Sequence, residues 1–150
     1  MDSTIDIAIT TTPIDVQTAI ARVRNPRHGA IDSFIGTVRN HHHEKPVIGI
    51  TYDIHPIFTE QSFAKICQQA LTSWPNSNYY VAHYHGFLRV AEISIIIAVS
   101  AAHRAASFEA CRYVIEAIKS YSPIWKQEHY ADGSSDWLAG RSLNKLAHSA

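Results

Sequence analysis

Near the start of the chain Ile5, Ile7 and Ile9 alternate with polar residues, the period of a half-buried strand. Thr12-Pro13 then offers a cap followed by proline at a first helical position. Val16, Ala19, Ile20 and Val23 form the inner face of a short helix that stops near Asn25-Pro26. Residues 29–39, GAIDSFIGTVR, are rich in β-branched and aromatic side chains and read as a second strand. Gly36 interrupts it, which signals a bulge or a close backbone approach. The run NHHHEKP after Arg39 reads as a polar, mobile loop, and Val47 to Ile54 as a third strand. A helix follows from Phe58, with Thr59 as its cap. Phe63, Ile66, Cys67, Ala70, Leu71 and Trp74 keep helical spacing until Pro75 breaks it. Tyr79 to His85 and Arg89 to Ser100 are then two strands joined by a turn at Gly86, with His83 and His85 on one half-exposed sheet face.

The next segment, HRAASFEACRYVIEAIKSYSPIWKQE from His103 to Glu128, is the most informative in the chain. Phe108, Cys111, Ile115 and Ile118 recur at helical spacing and predict an apolar face. Pro123 ends the helix, because it has no N–H and drives Ser122 out of the α region. Lys119 lies in the last turn against Ile115 and Ile118, and is expected to be the more buried of two neighbouring lysines. Lys126 follows in an irregular segment between Trp125 and Glu128. Of only five lysines in the chain, two fall here. Taken alone, lysines at a helix exit are most simply a solvated end that favours the helix dipole. Beyond Glu128 the pattern weakens into a turn-rich stretch, 132–136, with Trp137 as an anchor and a tail that frays after about residue 138. There are no repeats and no linker. Residues 1–150 therefore read as one domain of the α+β class, with a mixed or antiparallel sheet packed by helices.

Composition narrows the function classes. Net charge is zero with neutral histidines, so no global field points to nucleic acid or an anionic membrane. The longest apolar run, Ile95 to Val99, is far too short to span a bilayer, and the N-terminus lacks the basic and apolar regions of an export signal. Cys67 and Cys111 both occupy apolar helix positions and read as buried thiols in a reducing compartment, so a cytoplasmic protein is expected. The histidine run 41–43 invites a metal reading, but successive residues point apart and no cysteine or carboxylate pair completes a ligand set nearby.

Two long motifs change the weight of the lysines. F-x-G-x-V-R over Phe34 to Arg39, and H-R-x5-A continuing to K-x3-P-x-W-K-x-E over His103 to Glu128, followed by Gly133 and Trp137, resemble the catalytic large subunit of molybdopterin synthase. The resemblance covers roughly residues 28–137. It implies an α/β-hammerhead-type fold and a homodimer that binds a small ubiquitin-like sulfur carrier at each end, making a heterotetramer. The carrier's C-terminal Gly-Gly thiocarboxylate would enter a pocket. There two sulfurs would pass to cyclic pyranopterin monophosphate, forming the dithiolene of molybdopterin. Carried over by position, Lys119 and Lys126 are the catalytic lysines. Phe34, Thr37, Val38, Arg39, His103, Arg104, Gln127 and Glu128 are the substrate-binding residues. The resemblance demands no metal and no redox cofactor. Against the family pattern this chain has Asp53, Phe58, Tyr84 and Ala91, all read as distant from the two lysines.

The residue types suit such a task. Two anions, a phosphate and a thiocarboxylate, must meet. The planar fork of arginine suits phosphate, and lysine can carry a charge or, with a shifted pKa, act as acid, base or nucleophile. The alternative is a non-catalytic module that binds the carrier tail without turnover. The stretch Ile93 to Val99 is expected to continue a sheet across the two-fold axis of the homodimer.

Overall fold

The computed structural model describes residues 3–138. The expected fraying tail lies outside them. Among the described residues the chain forms two sheets and three helices, an α+β arrangement. The first sheet has the order β1 (Ile5–Thr10), β5 (Asn78–Tyr84), β7 (Ile93–Ala101), β2 (Ala30–Thr37). β1 and β5 are parallel, and the other pairs are antiparallel.

This sheet is covered on both faces, which explains the unbroken apolar run of β7. Ile95, Ile97 and Val99 point toward α2 (Pro56–Ser73) and α3 (Arg104–Tyr121), in a core with Phe63, Val81, Cys111, Val114 and Ile118. Ile96 and Ala98 point the other way, onto Ala19 and Val23 of α1 (Val16–Val23). Because β7 is paired with both β5 and β2, Ile93 to Val99 cannot extend the sheet to a second copy. The strands at the sheet's edges are β1 and β2, and on β2 Ile31, Phe34 and Ile35 are all exposed.

The second sheet is built on β4 (Lys45–Ile54). One side of β4 pairs with β8 (Ile124–Tyr130), which in turn pairs with β9 (Ser135–Leu138). The other side takes β3 (His41–His42) and β6 (Gly86–Arg89), and every pairing is antiparallel. Its core is Val38, Val47, Ile50, Tyr52, Ile54, Leu88 and Tyr130. The sheets are tied together where Val38 donates to the Glu92 carbonyl at 3.1 Å and accepts from Ala91 N–H at 2.8 Å.

Several local expectations are corrected. The loop NHHHEKP is a tight hairpin, its corner formed by His43 and Glu44 at φ 46° and 67°. Gly86 does not join two strands of one sheet. It opens β6, which crosses to the second sheet, and the turn back to β7 carries Ala91 at φ 73°. Helix α1 is capped by Asp15, whose carboxylate accepts from Thr18 N–H at 3.2 Å, while Thr12 is engaged with Thr10. Helix α2 starts before Phe58, with His55 as cap and Pro56 in its first turn, and this leaves Thr59 buried. Gly36 fulfils the bulge reading: the register with β7 shifts after it, and a Cβ there would stand 2.8 Å from Ile95 Cγ2.

Phe108 is 58% exposed rather than part of the apolar face of α3. The buried stripe is centred on Ser107, Val114 and Ile118, and Phe108 falls roughly 100° off it. Lys119 falls beyond the same edge and is exposed, whereas Lys126 is only partly so. The expected order of burial is therefore reversed.

Candidate functional site

The seam between the sheets, at the C-terminal end of α3, opens into a cavity of about 710 Å³. Each wall comes from a different element. Ile118 and Lys119 come from the last turn of α3, Ile95 and His83 from the first sheet, and Tyr52, Ile124 and Lys126 from the second. His42, His43, Ser122, Trp125, Trp137 and Leu138 complete the lining. Lys126 is not in an irregular segment. It is the third residue of β8, opposite Tyr52 on β4 and Leu138 on β9, so the sheet fixes its Cα position. Ser122, whose N–H caps the helix by donating to the Ile118 carbonyl at 3.0 Å, turns the chain from α3 into β8. That turn brings Lys119 and Lys126 to the same space.

The strand period separates the residues that follow. Glu128 lies on the face of β8 that carries Lys126, two residues away, and it is 2% exposed. Its Oε1 stands 3.8 Å from Lys126 Nζ and 3.5 Å from His42 Nδ1, while Oε2 is buried without a hydrogen-bond partner. Gln127 lies on the opposite face, donating to Ser135 Oγ at 2.9 Å, and is not part of the cavity lining. Tyr52 faces Lys126 across the register. Its burial pushes the phenol pKa up, a hydrogen bond with Ser94 opposes this, and the Glu128 charge adds to the rise.

The remaining expected site residues divide by end of the fold. Thr37, Val38 and Arg39 leave β2 at the cavity end, since Gly36 pairs with Ile95, a cavity-lining residue. Val38 is buried in the second core, and Arg39 is exposed. Phe34, 36% exposed, lies further back along β2 opposite Ile97. His103 and Arg104 lie at the far end, where α3 begins beside Gly29 and the Ala30–Ala101 pair. The 15 residues from Arg104 to Lys119 span about 22 Å of helix axis at 1.5 Å each. Within one chain, then, His103 and Arg104 do not share the lysines' cavity.

Of the cavity lining, the sequence reading placed only Lys119 and Lys126 at the site; His83, Tyr52, His42 and Ile95 are among the residues it did not assign there. The signal for His83 was the context of its strand. In β5 every residue from Asn78 to His83 is buried, and a strand covered on both faces leaves its histidine in the interior. Two of the family departures also lie closer than expected. Tyr84 follows His83 directly, and Asp53 pairs with Trp125 beside Lys126. The Asp53 side chain points to the other face, however, 3.8 Å from His85. Among the described residues no three His, Cys, Asp or Glu side chains converge on a metal-binding arrangement, and the hairpin turns His41 and His42 onto opposite strand faces.

Comparison with known proteins adds four findings. A sequence model of the MoaE protein family matches residues 9–121. The molybdopterin synthase catalytic subunit of Halalkalibacterium halodurans is 42% identical over 126 residues, which cover 84% of this chain and 81% of that one. Among solved structures, molybdopterin synthase from Staphylococcus aureus aligns with a TM-score of 0.82 at 31% identity, covering 89% of this chain and 95% of that one. A chain from a complex of subunits 1 and 2 of molybdopterin-converting factor from Helicobacter pylori shares the fold, with a TM-score of 0.67 at 20% identity, over 89% of this chain and 88% of that one.

Proposed function

The chain belongs to the MoaE protein family, and from that membership we propose that it is the catalytic subunit of a molybdopterin synthase, moving two sulfurs from a thiocarboxylated ubiquitin-like carrier to cyclic pyranopterin monophosphate. The observation that carries the reading is the meeting of Lys119 and Lys126, from a helix end and a facing strand, in one cavity of about 710 Å³. A cavity of that size holds a pterin-sized substrate together with the end of an extended peptide. The second subunit in the Helicobacter pylori complex is a precedent for a partner.

The two lysines have different surroundings and take different parts. Lys126 is paired with Glu128 and set by the sheet, so it acts as a fixed cation that orients the anionic group of tail or substrate. Lys119 ends a helix beside Ile118 and Ile95 and supplies the amine that exchanges protons, or attacks the thiocarboxylate carbonyl, as sulfur leaves. Arg39, exposed on the connection between the sheets, contributes anion binding at the mouth.

His103 and Arg104, about 22 Å down the helix, serve the equivalent cavity of a second copy. The exposed Ile31, Phe34 and Ile35 on edge strand β2 are the surface on which that copy packs. The assembly is a homodimer with one carrier at each end. It works in the cytoplasm, where the buried free thiols of Cys67 and Cys111 stay reduced. The test is direct. The purified protein, incubated with a thiocarboxylated carrier and the cyclic pterin, should yield the dithiolene product. A carrier lacking its last two glycines should give none. Product formation with the truncated carrier, or none with the intact one, overturns the reading.

A further inference from the structure

At the floor of the cavity lies a histidine to which the chemistry above gives no part. His83 is 2% exposed, yet its ring helps to line the space that holds Lys119. Its Nδ1 lies 2.8 Å from the carbonyl oxygen of Tyr84. A carbonyl only accepts, so Nδ1 carries the proton and Nε2 keeps a lone pair. The ring plane is held as well. Tyr52 meets it edge-on with centroids 5.0 Å apart, and Phe63 packs at 6.4 Å. The result is an acceptor of fixed tautomer and fixed orientation in the wall beside the lysine.

Its charge state follows from its surroundings. Burial pushes the imidazole pKa down to about 4, the hydrogen bond to Tyr84 opposes this, and the charges of Lys119 and His85 add to the depression. His83 is therefore neutral at neutral pH. The contrast with Lys126 is instructive. That lysine stands beside a carboxylate, which favours the protonated amine. A neutral imidazole can orient an amine without adding a negative charge that would hold its proton in place.

We propose that His83 is a positioning residue for Lys119, its Nε2 accepting a hydrogen bond from Nζ and aiming the amine at the reacting carbon or sulfur. The inference rests on the reading of Lys119 as the reacting amine. His83 itself makes and breaks no bond.

Two substitutions separate this role from mere packing. His83→Phe keeps a ring against Tyr52 and Phe63 and removes the acceptor. His83→Gln returns an amide oxygen near the position of Nε2. In steady-state sulfur transfer with the thiocarboxylated carrier, His83→Phe should lower kcat by up to about 100-fold with KM largely unchanged, and His83→Gln should recover a substantial part of the loss. A second readout needs no turnover: in protein labelled with ¹⁵N at histidine, the Nε2 resonance of His83 should shift in Lys119→Met while Nδ1 stays in place. An unmoved Nε2 resonance, or wild-type kcat in folded His83→Phe, overturns the positioning role. Failure of the sulfur-transfer reading looks different, because the wild-type protein would then give no product whatever the NMR result.

Discussion

Acid should destabilise this protein through one residue in particular. An ordinary histidine titrates at 6.5, and burial pushes His83 down to about 4. Above pH 6.5 neither the folded nor the unfolded chain carries this proton, and the site has no effect on the balance. Between 6.5 and about 4 the unfolded chain takes up a proton that the folded chain refuses, so stability falls with falling pH. Below about 4 both states are protonated and the loss levels off. At about 1.4 kcal/mol per pH unit the full gap corresponds to about 3 kcal/mol, of which about 2 kcal/mol appears between pH 7 and 4.5. That is a large share of the roughly 5–15 kcal/mol that holds a typical domain together. With the side chain 2% exposed, solvent does little to screen the effect. Urea unfolding of the wild-type protein and His83→Phe at several pH values from 7 to 4.5 measures it. Phe retains the ring contacts, so the offset at pH 7 reports packing and the lost hydrogen bond, while the difference in pH slope isolates the titration. Asp15 and Asp132, held low chiefly by hydrogen bonds from Thr18 and Ser134, lose their contributions only below pH 3.8 and do so in both proteins. Parallel stability curves for the two proteins would refute the account of a histidine kept neutral by the fold.

Three further outcomes are expected. Lys119→Ala should abolish sulfur transfer with the fold and carrier binding retained, and Lys119→Arg should fail too, because a guanidinium keeps its proton; near-normal turnover of the arginine variant, with circular dichroism confirming the fold, would show that position 119 supplies charge alone. Lys126→Arg should keep part of the activity, since the ion pair with Glu128 can re-form, and loss equal to that of Lys119→Ala in the same assay would contradict its assignment to orientation. Ala91→Gly should raise unfolding stability by about 1 kcal/mol, because Ala91 sits at φ 73°, where a Cβ is strained and glycine is not; an unchanged urea midpoint would mean that the turn relaxes the strain.

The elements with strong periodicity were legible from the chain. β7, buried on both faces, shows as an unbroken apolar run, and α2 shows as a long i, i+3, i+4 series. What escaped was set by partners distant in sequence. β6 has a single buried residue, Leu88, and no pattern of its own, and it exists because β4 offers an edge. The β3–β4 hairpin turns on His43-Glu44, a pair without the Asn-Gly or Asp-Gly signal of a two-residue turn. His55 displaced Thr59 as a cap through Pro56, which fixes the start of the helix two residues earlier than the apolar series suggests. At the site, the lysine pair was legible through its motif. The split between Lys119 and Arg104 was implicit in the helix itself, since 15 residues without a break must hold two ends apart.

The reversed exposure of the lysines bears on how their roles are assigned. A lysine set against an apolar face loses hydration, and depth in a core would in that way favour its neutral amine. Helix geometry denies Lys119 that depth, because one residue beyond Ile118 turns its Cα off the buried stripe. A long side chain can nevertheless reach past its own backbone position, and Lys119 does so into the cavity. There it shares the cavity wall with His83, Ile95 and Ile118. Lys126 is more enclosed, but it faces the buried carboxylate of Glu128, two residues along the same strand face. Burial beside an opposite charge preserves a cation, which suits Lys126 to the orienting role proposed for it. The proposed division of labour between the lysines rests on their different positions, and the fold supplies these by turning the chain at Ser122-Pro123, so that a helix end and a strand face the same space.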